Sequence, residues 1–155
     1  CLFCPLNDSC VARLKGIAGS LPVKQHKNKV TNRYFNYIYV RMGAHTLIHK
    51  RTEDDIWKNL FELPLVETEK DLSEEEFLAC PQFHALFAEG EVRMVRTLLR
   101  GVKHVLSHRV IYTNFYEVTL PDNSSSFSSY QRVAVEDLGR YAVPRLIHAF
   151  LEKYV

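Results

Sequence analysis

The hydrophobic pattern is clearest between His104 and Leu120. From Val110 onward the chain is dense in β-branched and aromatic residues, and Val110, Tyr112, Tyr116, Val118 and Leu120 recur at period two. This predicts a long strand crossing a core. Tyr34 to Met42 is apolar or aromatic at almost every position, which predicts a strand covered on both faces. Gly43-Ala44 suits a two-residue turn with Gly at its first central position, so His45 to Lys50 is expected to return as a hairpin partner near the sheet's centre. Trp57 and Leu60 to Pro64 form a further apolar patch after a polar loop at Arg51 to Asp55, and Tyr130 to Val135 reads as a short strand.

Helical signals are fewer. Ser73 and Glu76 have capping-box spacing, and Glu74, Glu75 and Glu76 sit where a helix dipole favours acids. Pro81 restarts a helical stretch through Leu86 and Phe87 that Gly90 stops. Pro144 opens a last helix whose Leu146, Ile147, Phe150, Leu151 and Tyr154 line one face, with His148 at its edge. Pro121 to Ser129 is rich in turn residues and is expected to be a mobile loop. Together these elements predict an α+β fold, a mixed sheet with helices packed on it, without internal repeats.

Composition changes this picture little. The 155 residues suit one domain with a proper core, and 46% hydrophobic with 25% charged residues is ordinary for a globular protein. The chain opens on Cys1 with no initiator Met, no signal segment and no membrane-length apolar run, so it is expected to be a piece of a longer protein. A net charge of +2 says nothing about partners, but its distribution does. Arg13 to Arg33 is basic, Glu62 to Glu91 strongly acidic, and Arg93 to Arg109 basic again. Basic segments are often just solvated; two of them beside a Ser-His pair point to a phosphate backbone, with Lys24, Lys27, Lys29, Arg93 and Arg96 as the candidate contacts.

Two features carry candidate chemistry. Ser107 and His108 interrupt an apolar run that begins at Val105, so they belong either to a turn or to a site. Cys1, Cys4 and Cys10 lie close enough in sequence to converge on a metal centre, although a zinc site wants a fourth ligand and an iron-sulfur cluster normally four cysteines. An odd count argues against disulfides, and Cys80, before Pro81, reads as a small core residue.

The Cys1-x2-Cys4-x5-Cys10 run resembles the last three cysteines of the four-iron, four-sulfur (4Fe-4S) loop of helix-hairpin-helix DNA glycosylases, and Leu21-Pro22-Val23-Lys24 resembles the exit from that loop in MutY-type adenine DNA glycosylases. The remainder of the chain is similar to their C-terminal domain, a Nudix-like fold that recognises 8-oxoguanine. The resemblance implies that residues 1–15 end the cluster loop, 16–30 form a tether and 31–155 form the recognition domain, a Nudix-like mixed β-sheet packed between helices. Leu60-Phe61-Glu62-Leu63-Pro64 resembles the family's Leu-Trp-Glu-Phe-Pro segment, but Leu65 stands where a working Nudix hydrolase has glycine, and the Arg-Glu-x-x-Glu-Glu helix that holds magnesium is missing.

Leu106-Ser107-His108 resembles the family's Phe-Ser-His loop, which reads the damaged guanine; Ser107 and His108 match it, and Leu106 replaces the aromatic ring with an apolar wedge. The implied protein is a cytoplasmic, monomeric base-excision repair enzyme acting on duplex DNA with 8-oxoguanine:adenine or guanine:adenine mispairs. Its adenine pocket lies in an N-terminal catalytic domain that this chain lacks, so the chain itself is expected to be non-catalytic. The implied 4Fe-4S cluster belongs to the full-length enzyme and is expected to be absent or incomplete with Cys1, Cys4 and Cys10 alone. The rival readings are a Nudix-type nucleotide pyrophosphatase and a metal-stapled protein-interaction module.

Overall fold

The structure is a computed structural model that describes residues 1–23 and 29–155. After a short helix α1 (Val11–Leu14), the chain forms strands β1 (Thr31–Arg41), β2 (His45–Lys50), β3 (Phe61–Glu62) and β4 (Leu65–Thr68). Helices α2 (Glu74–Ala79) and α3 (Pro81–His84) come next, then β5 (Met94–Val105), β6 (Arg109–Thr119), β7 (Gln131–Ala134) and α4 (Arg145–Tyr154). Four strands form a sheet in the order β4-β1-β6-β5, in which β1 and β6 run parallel and the outer pairs antiparallel. A smaller antiparallel sheet has the order β3-β2-β7.

β1 and β6 are central because both of their faces are apolar. Phe35, Tyr37, Tyr39, Ile111 and Phe115 pack with Ile147 and Phe150 of α4, while Ile38, Val40, Tyr116 and Val118 pack with Phe77 of α2 and Phe83 of α3. Parallel stacks pin each layer: Phe115 on Phe150 with centroids 4.1 Å apart, and Phe77 on Tyr116 at 4.4 Å. The mixed sheet between helices is the α+β architecture expected. The Ser73–Glu76 capping box is also present, each side chain bonding the other's backbone N–H.

The β1–β2 hairpin differs from expectation. Gly43 does turn the chain with φ 56°, but only Met42 and His45 pair across it, and β2 then leaves for the second sheet. β1 has no free edge to offer, because β4 occupies one side and β6 the other. The Pro121–Ser129 loop, expected to be mobile, is tied down instead. The Glu91 carboxylate accepts from Ser124 Oγ and Ser126 Oγ, both at 2.5 Å, and from the Ser125 N–H at 3.0 Å, bonds that pull its pKa down to about 2. Phe127 is buried between Phe87 and Tyr130. No described helix is long and apolar enough to cross a membrane.

Candidate nucleic-acid interface

β5 and β6 make the longest ribbon of the fold, and its turn carries the candidate readers. Val105 pairs with Val110, and the Leu106 N–H donates to the Arg109 carbonyl at 2.8 Å, so Ser107 and His108 are the two residues of the connection. Both side chains are exposed, whereas Leu106 is half-buried and packs against the core on the α4 side. The Thr31 N–H donates to the His108 carbonyl at 3.1 Å, tying the turn to the start of β1. The tip therefore offers a hydroxyl and an imidazole to solvent on a backbone held from both sides.

Beneath the tip lies a charged network that spacing along the chain does not reveal. The Asp55 carboxylate accepts from Arg33 Nη1 at 2.6 Å and Arg51 Nη2 at 3.1 Å, and also from Arg109 Nη1. Arg33 makes a second, bidentate pair with Glu67, both bonds at 2.6 Å. Arg51 Nη1 bonds both oxygens of the buried Glu62 at 2.8 Å, and Glu62 also receives the Tyr37 hydroxyl at 2.9 Å. Burial alone would push the Asp55 and Glu62 carboxyls up. The hydrogen bonds outweigh it, holding Asp55 well below the usual carboxylate range through Arg33 and Arg109, and Glu62 below it through His49, Arg51 and Tyr37. Burial raises the Tyr37 hydroxyl well above its ordinary value.

The loop carrying Asp55 is closed on itself. Asn59 N–H donates to the Arg51 carbonyl at 2.8 Å, Arg51 N–H to that of Leu60 at 2.9 Å, and Arg51 Nε to that of Ile56 at 3.0 Å. Within it Trp57 and Asn59 adopt positive φ, 60° and 69°. The Trp57 ring lies against His104 of β5, centroids 5.8 Å apart, and edge-on to Phe35.

The other sequence candidates are dispersed. Lys24 and Lys27 lie outside the described residues, and Lys29 is exposed two residues before Thr31, whose N–H bonds the tip. Arg93 and Arg96 stand at the opposite end of the ribbon. Arg96 pairs with Glu117, nine residues along β6 from His108, so at about 3.3 Å per residue it stands roughly 30 Å from the tip, and its Nη2 lies 3.0 Å from the buried Glu117. The structure thus puts Ser107 and His108 together at the tip, with Lys29 exposed two residues before the strand start bonded to it, and leaves Arg93 and Arg96 at the other end of the ribbon. Asp55 and its partners at Arg33 and Arg109 were missed as a site; the only sequence signal was that Arg109 follows the Ser-His pair directly.

Cys1 and Cys4 are exposed and Cys10 half-buried, all as free thiols, and among the described residues no group of three or more His, Cys, Asp or Glu side chains is gathered to hold a metal ion. Three ungathered thiols do not fit a four-iron cluster, which takes four. Cys80 packs against the α2/α3 side of the core, and its Sγ accepts the Phe83 N–H at 3.4 Å. Of the acidic run, Glu76 is spent on the cap of α2.

A mixed four-stranded sheet held between α4 on one face and α2 and α3 on the other, with a small second sheet beside it, is the Nudix architecture. The NUDIX domain profile matches residues 36–153, and the chain belongs to that family. It is 24% identical to the adenine DNA glycosylase of Buchnera aphidicola subsp. Acyrthosiphon pisum (strain APS) over 99% of this chain and 42% of that protein, so it spans less than half of that relative's length. The C-terminal domain of mouse MUTYH, solved in complex with human PCNA, superposes with a TM-score of 0.60 at 14% identity, covering 79% of this chain and 86% of that one. The MutT protein of Methanosarcina mazei Go1 gives 0.51 at 18% identity over 83% and 95%. At these identities the superpositions show a common fold.

Proposed function

We propose that this chain is the lesion-recognition domain of a MutY-type adenine DNA glycosylase, which holds 8-oxoguanine while a separate catalytic domain removes the adenine opposite. The observation that carries the reading is the exposed Ser107–His108 pair at the tip of the β5–β6 ribbon. Guanine presents an acceptor at N7; the oxidised base carries a proton there instead. A serine hydroxyl can accept that proton's hydrogen bond while donating its own elsewhere. His108, next in the turn, is available for polar contacts, and Lys24, Lys27 and Lys29 form one basic segment that would meet phosphates.

The likeness to an adenine DNA glycosylase along 99% of this chain supports this reading over its rivals. A Nudix pyrophosphatase needs a magnesium-binding carboxylate helix, and this chain's acidic run is a helix cap instead. The arginines that could meet a nucleotide's phosphates, Arg33 and Arg51, are already neutralised by Asp55, Glu62 and Glu67. In a base-excising enzyme the target base is flipped into the catalytic pocket; this domain's share is to read the base left behind in the duplex.

The test is an anisotropy titration of the chain against otherwise identical duplexes containing 8-oxoguanine:adenine, guanine:adenine or guanine:cytosine. Tighter binding of the lesion duplex is expected at moderate salt. Equal affinity for all three removes the reader role.

A further inference from the structure

Among the described residues, Asp55 is the one polar partner of the Arg109 side chain, and Arg109 is the residue that closes the Ser107–His108 turn. The Asp55 carboxylate joins three guanidinium groups from three places in the fold: Arg33 of β1, Arg51 at the end of β2, and Arg109 at the start of β6. It is four-fifths buried, so little water competes for these bonds. The same short loop presses Trp57 against His104 on the other strand of the ribbon. Trp57 does so with φ 60°, a left-handed conformation that is costly for a bulky side chain and persists only where its surroundings enforce it.

We infer that the Asp55–Trp57 loop is the shelf that sets the position of the reading tip, with Asp55 as a positioning residue for lesion discrimination rather than a contact to DNA. This rests on the proposed reader role of Ser107. Asp55 grips β6 immediately after the tip, Trp57 grips β5 three residues before Ser107, and the Thr31–His108 bond completes a three-point mount. A hydroxyl that must separate a protonated N7 from an unprotonated one needs placement to a fraction of an ångström. Phosphate contacts tolerate far more movement, so loosening the mount should cost discrimination before it costs general affinity.

The experiment uses the full-length enzyme with Asp55→Asn, which keeps the side chain's shape and removes its charge, against Asp54→Asn, which changes net charge equally at an exposed neighbour paired only with Lys58 among the described residues. The expected result is a preference for 8-oxoguanine:adenine over guanine:adenine that falls about tenfold in Asp55→Asn, with guanine:adenine affinity held or slightly raised by the lost negative charge, and an unchanged preference in Asp54→Asn. The backbone amide shift of Ser107 should move in Asp55→Asn alone. Arg109→Gln cuts the same bond from its other end and should reproduce the loss if Asp55→Asn does not fold. Unchanged preference in both variants overturns the inference, and so does a parallel loss on both duplexes, which would make Asp55 general scaffold. A wild-type enzyme without lesion preference refutes the reader role instead; the Ser107 amide shift then still decides whether Asp55 places the tip.

Discussion

Replacing Arg51 by Met tests whether the charged network under the Ser107–His108 turn is structural in the strong sense. Arg51 is nine-tenths buried and bonds both oxygens of Glu62, whose side chain is 3% exposed. Met keeps most of the aliphatic stem but strands the Glu62 charge. Breaking a buried pair from one side costs roughly 3–5 kcal/mol, because the remaining ion stays desolvated. Tyr37 at 2.9 Å and His49 at 3.2 Å still face Glu62, so the lower end, about 3 kcal/mol, is expected. Lys58→Ala is the comparison, since its pair with Asp54 is exposed on both sides and should be worth at most about 0.5 kcal/mol. Urea unfolding followed by tryptophan fluorescence measures both, through a shifted midpoint at constant slope. Removing the stranded charge as well, with Arg51→Met and Glu62→Leu together, should recover much of the loss. A loss below about 1 kcal/mol for Arg51→Met, matching Lys58→Ala, would refute the argument from burial.

The same structure makes three further outcomes testable. With magnesium and an oxidised deoxyguanosine triphosphate, the chain should release no pyrophosphate or nucleoside monophosphate; turnover lost on changing Glu74 to Glu76 would contradict this. Asp55 and Glu62 have folded pKa values below their unfolded ones, so their stabilisation is complete above about pH 4 and is lost as pH falls through the folded values. Stability measured by urea midpoint should therefore fall steeply below about pH 4, and Asp55→Asn should flatten that fall. DNA affinity should drop with salt at a log-log slope of about −0.9 per phosphate contact, and Lys27→Ala with Lys29→Ala should flatten the slope without changing lesion preference.

Much of the scaffold was legible because its signals are local. Period-two and two-faced apolar runs located β6 and β1, the stripe after Pro144 located α4, and the Ser73–Glu76 spacing located the start of α2. The sheet to which β2 belongs was not legible, because it depends on β6, whose residues pair with β1 across a separation of 78 positions, claiming the free edge of β1. Asp55 looked like an ordinary loop acid for a similar reason: its arginine partners lie 22, 4 and 54 residues away. Arg96 read as a free cation until the β5–β6 register set it opposite Glu117. Ser107 and His108 stood out as a polar break in an apolar run, but that break fits an ordinary turn equally well, and only the family resemblance favoured a site.

Ser107→Ala tests the proposed reader role most directly. The hydroxyl is exposed at the tip, so its removal should leave the fold and the urea midpoint unchanged. Losing one base-edge contact should cost at most roughly 1–3 kcal/mol of discrimination, a range set by bidentate pairs. The measurement is the affinity for 8-oxoguanine:adenine and guanine:adenine duplexes at one fixed salt concentration. Weakened binding of the lesion duplex with guanine:adenine affinity nearly unchanged is the expected result; equal losses on both duplexes, or no loss on either, would contradict it.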